Sequence, residues 1–291
     1  MPFKNVETAR LLELVERMPA FSHTVAKIIA LANDPASSPK DLVSAISMDA
    51  VLTAKLLKLI NSAYFGLRQP VVSLQRAVIM LGFNTVKNIA LSISVTGTLK
   101  ISKGFKWFTP DQFWEHSLGC AVASKALAQR LEVGNMEVEE YFIAGLLHDI
   151  GKTLLLQAFT QALEEVYEAA RAPGASLIAL EKERFGMSHD ELGGVIARHW
   201  KFPEPLVAAI AGHHNPLEGP TETLRLRVVP HIANAYCNMR KISTHPDVNP
   251  DTISGQVWEA LSLTPKEAFD SLKDLEGTLQ RAKIFLQVAA N

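Results

Sequence analysis

The chain has 291 residues, 48% hydrophobic and 20% charged, enough apolar material for a sizeable core in one large or two modest domains. A formal net charge of −1, with dispersed basic residues, excludes the field and the cationic arm that draw proteins to nucleic acid or anionic membranes. Two distant cysteines, Cys120 and Cys237, provide neither a disulfide framework nor a CxxC metal knuckle.

The first stretch, MPFKNVETARLLELVERM, alternates charge with leucine as a surface helix does, not as a signal peptide does. No run approaches the roughly 18 apolar residues of a membrane span, so a soluble, cytoplasmic protein is expected. His23, in FSHTVAK, reads as a surface or capping residue.

Ser38-Pro39-Lys40-Asp41 is a capping box with proline at the first helical position, followed by the helix-periodic DLVSAISM. NSAYFG at 61–66 suits a helix end running into a tight turn, with Asn61 and Gly66 securing it and Tyr64 and Phe65 in the core rather than on a partner surface. VVSL at 71–74 leads at once into QRAVIMLGF, a better helix than strand.

Thr109-Pro110-Asp111-Gln112 is a second box, opening FWEHSLGCAVASKALAQRL. AGLLHDIGKTLLL at 144–156 is an apolar run interrupted by His148, Asp149 and Lys152. Ser188-His189-Asp190-Glu191 caps a further helix, and IAGHHNP and HIANAYC follow. Thr264-Pro265-Lys266-Glu267 opens the last stretch, which reads as one amphipathic helix using Phe269, Leu272, Leu275, Leu279 and Phe285.

Alternating strand patterns are absent, so the expected fold class is all-α, with a dozen helices or more at typical lengths. The expected divisions are 1–108, an N-terminal helical part; 109–240, a core carrying the histidines; and 241–291, a C-terminal helical extension.

Charged groups are rarely buried unless paired or bound to metal, so His148 and Asp149 in an apolar helix need a partner. His116, His189, His213, His214 and Asn234 recur in similarly apolar or helical settings. Imidazole and carboxylate are the common ligands of first-row divalent metals. Adjacent helical positions lie about 100° apart, so the HD and HH pairs can each face one cleft. His189, at a helix N-terminus, is expected neutral, as a ligand must be.

LLHDIGK, with His116 upstream and His213-His214 downstream, resembles the HD superfamily of metal-dependent phosphohydrolases. DAVLTAKLLKLINSAYFG followed by SLQRAVIMLGFNTVKNIAL resembles its bacterial signalling branch, the HDOD family, over roughly residues 15 to 240. The resemblance implies an N-terminal helical bundle packed on an HD-like multi-helix core. It also implies a metal set of His116, His148, Asp149, His189, His213 and His214, with Asn234 where a late aspartate is expected. Asp149 is then the only carboxylate, which suits one iron, manganese, zinc or nickel ion rather than two metals or magnesium. HHNPLEGPTET carries no GYP after the paired histidines, which disfavours cyclic-di-GMP hydrolysis.

Three functions follow. The favoured one is a signalling module with a largely retained metal site, acting through a protein partner in trans or a small ligand. The alternative is a metal-dependent phosphohydrolase on a nucleotide-like phosphoester. In it Asp149 would help activate a metal-bound water, and Lys152 would neutralise phosphate charge or else remain a solvated lysine. A weaker reading is an iron-based redox or oxygen sensor.

Overall fold

The computed structural model describes residues 4–99, 101, 104–134, 137–242 and 252–290. Among them the ordered elements are helical. The N-terminal helices are α1 (Lys4–Glu16), α2 (His23–Ala32), α3 (Pro39–Ser47), α4 (Ala50–Ile60), α5 (Leu74–Leu81) and α6 (Phe83–Thr98). The central ones are α7 (Pro110–Arg130), α8 (Val138–Leu147), α9 (Ile150–Ala169), α10 (Leu177–Phe185), α11 (His189–His199), α12 (Glu204–Gly212) and α13 (Leu224–Met239). The last are α14 (Gly255–Leu261), α15 (Pro265–Ser271), α16 (Leu275–Ala282) and α17 (Ile284–Ala290).

All four capping boxes form, at Ser38, Thr109, Ser188 and Thr264. Each answers free backbone donors within its own first turn, which is why they are readable without tertiary information. Asn61 ends α4 and ties down the following loop: its amide donates to the Leu57 and Val71 carbonyls, and its Oδ1 accepts from the Val71 amide at 2.7 Å. Gly66 takes a left-handed φ of 59° in that turn. Gly82 (φ 87°) makes the corner between α5 and α6, which meet at 119°. His23, the first residue of α2, is exposed.

The N-terminal helices meet the core where α6 packs on α8, and where α1 packs on α9, α10 and α11. The stretch 264–287 is not the single helix its periodicity suggests. It bends after Ser271 and again at Lys283, because its apolar side chains have different destinations. α15 and α16 pack on α7, whereas α17 packs on α4 and α6, and its Phe285 meets Phe142 of α8 at 5.8 Å. A straight rod could not reach both sides.

One stretch, Val138–Ala169, is long and apolar enough to cross a membrane by length and composition, against the expectation from the sequence. Its apolar window, of mean hydropathy 1.2, is 78% buried inside the fold. α8 and α9 are core helices, and His148 and Asp149 lie at the joint between them.

Candidate metal centre

Two close helix contacts bring the polar residues together. At Gly145 on α8 an added Cβ would lie 2.5 Å from the Cys120 carbonyl oxygen, so only glycine lets α7 approach this closely. His116 stands one turn before Cys120 and His148 three residues beyond Gly145, and their rings come to 5.4 Å. At Gly151 on α9 a Cβ would lie 1.9 Å from the His189 carbonyl oxygen and 2.7 Å from the Gly193 nitrogen. That contact sets α11 against α9 and puts His189 Nε2 3.1 Å from Asp149 Oδ1. The end of α12 then supplies His213, whose Nε2 is 3.7 Å from the same oxygen. His214 Nε2 lies 3.0 Å from His189 Nε2.

All six residues proposed from the sequence as metal ligands converge. His148, His189 and His213 are fully buried, Asp149 is 1% exposed and His116 5%; His214 is half-buried. The backbone fixes which nitrogen each ring offers. His148 Nδ1–H donates to the Gly145 carbonyl at 2.7 Å, and His213 Nδ1–H to the Ile210 carbonyl at 2.8 Å. His116 Nδ1–H faces the Ile242 carbonyl at 3.3 Å. A carbonyl only accepts, so in His148 and His213 Nε2 is left with its lone pair directed inward, whereas His116 Nε2 faces a second acceptor, Asn234 Oδ1, at 3.1 Å.

The result is a set of buried acceptors with nothing to accept from. His148 Nε2 and His213 Nε2 have no hydrogen-bond partner. Burial holds two of the histidines neutral: His116 is pushed down to about 3 by burial and by His148, and His213 falls well below its ordinary range through burial and its histidine neighbours. Unpaired buried acceptors are costly, and a divalent cation answers all of them at once. The donor set fits a metal.

Asn234, where an aspartate was expected, lies in the cluster with its Oδ1 3.1 Å from His116 Nε2. It also accepts from the Asn238 amide at 3.1 Å. Lys152 is placed differently from either sequence alternative: its ammonium bonds Asp149 Oδ2 at 2.7 Å. Burial opposes the Asp149 charge, but His148 and Lys152 overcome this and hold the carboxyl well below its usual range. Glu115 turns away to Lys283, and Asp190 accepts from the Ser188 hydroxyl.

Three residues escaped sequence reasoning. Glu181, fully buried on α10, accepts from both the backbone amide and Nδ1 of His189, at 2.8 and 2.7 Å. Nothing in LEKERF distinguishes it from a solvated charge. His231 Nδ1–H donates to the His213 carbonyl at 2.8 Å, steadying the HH turn from α13. Cys120 Sγ lies 3.5 Å from His116 Nε2; its spacing of four from His116 was the available signal.

Glu181 also overturns the expectation that the helix N-terminus keeps His189 neutral. Burial opposes protonation, but Glu181 and Asp149 outweigh it and raise His189 to about 9. Because that value lies above the ordinary 6.5, the associated stabilisation of the metal-free protein is complete below about pH 6.5 and lost as pH rises through about 9. Glu181→Gln is expected to bring His189 down toward 6.5 in an NMR titration of metal-free protein. It should also weaken metal binding by about 10–100-fold, as loss of such an outer partner typically does. An unmoved His189 titration would contradict this account.

The helical fold is HD-like, and the buried histidine–carboxylate cluster within it is a candidate metal site. A family model for the HDOD domain matches residues 18–216, and the chain belongs to the HDOD family. An HDOD domain protein of unknown function from Geobacter sulfurreducens superposes with a TM-score of 0.75 at 22% identity, covering 97% of each chain. A protein from Shewanella amazonensis SB2B, provisionally named a phosphohydrolase, gives 0.70 at 25% identity over 96% of this chain and 98% of its own. One from Marinobacter aquaeolei VT8, provisionally assigned to signal transduction, gives 0.79 at 18% identity over 99% of this chain and 66% of its own. An uncharacterized protein of Treponema pallidum (strain Nichols) is 25% identical over 214 residues, which are 74% of this chain and 41% of that protein.

Proposed function

We propose that this is a regulatory HDOD module that keeps its HD-type site as a resident metal centre and acts through a protein partner in trans or a small ligand. The observation that carries the reading is the enclosure of the donors. Five of the six candidate ligands are buried, and Lys152 is engaged with Asp149. His116, His148, Asp149, His189, His213 and His214 would hold one iron, manganese, zinc or nickel ion. These residues stand on, or at the ends of, α7, α8, α9, α11 and α12, so occupancy would tie those helices together. α8 packs on α6 and passes that constraint to the N-terminal bundle.

The phosphohydrolase reading is supported by the likeness to the Shewanella protein. A bound ion would there supply Lewis acidity and a more acidic water. The residues' own contribution would be orientation by the Gly145, Ile210 and Glu181 acceptors, and charge balance by Asp149.

Metal content of the purified protein, set beside a His148→Ala/Asp149→Ala variant, tests the proposal. Near-stoichiometric transition metal that the variant loses, with no turnover of a phosphatase and phosphodiesterase panel under added manganese or iron, is the expected result. Turnover that the variant abolishes would replace the regulatory reading with the hydrolytic one. Absence of metal in both proteins would sink both.

A further inference from the structure

We propose that Cys120 is a sulfur ligand, which makes the His116 side of the cluster a thiophilic subsite; the proposal rests on the reading that the cluster holds a metal. The ligand atoms divide into two groups, each with all members within 4.8 Å of one another. Asp149, His189, His213 and His214 form one; His116, Cys120 and His148 form the other. The Asp149 carboxylate lies between them, Oδ1 toward His189 and Oδ2 3.3 Å from His148 Nε2.

The second group is built as a site. His148 is fully buried and its Nε2, aimed into the group, has no hydrogen-bond partner. Cys120 is also fully buried, one helical turn beyond His116. Its sulfur stands 3.5 Å from His116 Nε2. Sulfur at about 2.3 Å and nitrogen at about 2.1 Å from one tetrahedral ion would be about 3.6 Å apart. Cys237, on α13, is buried beside the Cys120 sulfur. Asn234 Oδ1, 3.1 Å from His116 Nε2, adds a neutral oxygen. Two imidazoles, one thiolate and one amide oxygen favour zinc or ferrous iron over magnesium or manganese. On binding, the ion takes the place of the Cys120 thiol proton, which passes to solvent; no electron transfer is involved.

Cobalt(II) added to metal-stripped full-length protein is the probe. The expected result is a near-ultraviolet thiolate-to-cobalt charge-transfer band besides the visible d–d bands. Cys120→Ser should lose the charge-transfer band, keep the d–d bands and bind about 10–100-fold more weakly; Cys237→Ser should keep both. Cadmium-113 NMR of wild-type protein gives the same answer without a variant, since a thiolate ligand moves the resonance far downfield. Cobalt bound with d–d bands but no thiolate band would overturn the proposal and leave the metal-centre reading standing. A thiolate band lost in Cys237→Ser but kept in Cys120→Ser would overturn the assignment to Cys120. No cobalt bound at all would remove both.

Discussion

Asp149→Ala is expected to abolish metal binding and, separately, to destabilise the metal-free protein by about 3–5 kcal/mol, the usual cost of breaking a buried ion pair from one side. The carboxylate is 1% exposed and accepts from Lys152 at 2.7 Å; His189, which it helps keep protonated, stands at 3.1 Å. Removing it leaves one ammonium and one imidazolium inside the fold, with Glu181 paired to the imidazolium. Domain stabilities run at about 5–15 kcal/mol, so the variant should sit near the folding threshold. The remedy identifies the cause. Asp149→Ala/Lys152→Met replaces both charges with apolar groups and should recover about half of the loss or more. Urea denaturation of wild type, Asp149→Ala, Lys152→Met and the double variant in the presence of a chelator completes the cycle. An Asp149→Ala loss under about 1 kcal/mol, or no recovery in the double variant, would contradict the buried-pair account.

The second large effect comes from a residue with no side chain. Gly151→Ala is expected to cost about 3 kcal/mol or more, at or beyond the upper end of overpacking penalties. Its Cβ would meet the backbone of α11 at 1.9 and 2.7 Å, and backbone cannot rotate aside as a side-chain tip can. The helices would have to separate, drawing His189 away from Asp149, so metal loss should accompany the lowered Tm. Gly255→Ala, where a Cβ would meet nothing within 4 Å, is the control and should stay within about 0.5 kcal/mol or gain slightly from helix propensity. Equal behaviour of the two variants would show that the α9–α11 contact does not set the site.

Much of the fold is written in local chemistry. The four capping boxes and the helix running out of VVSL depend on bonds made within a few residues, and the Asn61 turn on bonds made within ten, so the sequence suffices for them. The C-terminal stretch misled because its periodicity is continuous. What bends it is that Leu279 and Phe285 are buried against different helices.

The candidate site divides in the same way. Histidines in apolar helices announce themselves, because an unpaired polar group in such a setting needs an explanation, and all six proposed ligands do converge. Glu181 and Cys120 do not announce themselves: a glutamate among charges and a cysteine among small apolar residues have ordinary surface and core roles. Their place beside His189 and His116 depends on how close α10 and α7 can come, and that closeness is a property of the packed backbone.

The sequence by itself determined the helical class, the four capped helix starts and the candidate donor types, since periodicity, caps and donor chemistry are local. Only the tertiary structure decided the protonation of His189, the engagement of Lys152 with Asp149, and the sulfur at the cluster's edge. Those follow from distances between groups on different helices, where burial amplifies each charge and lone pair and no spacing along the chain records them.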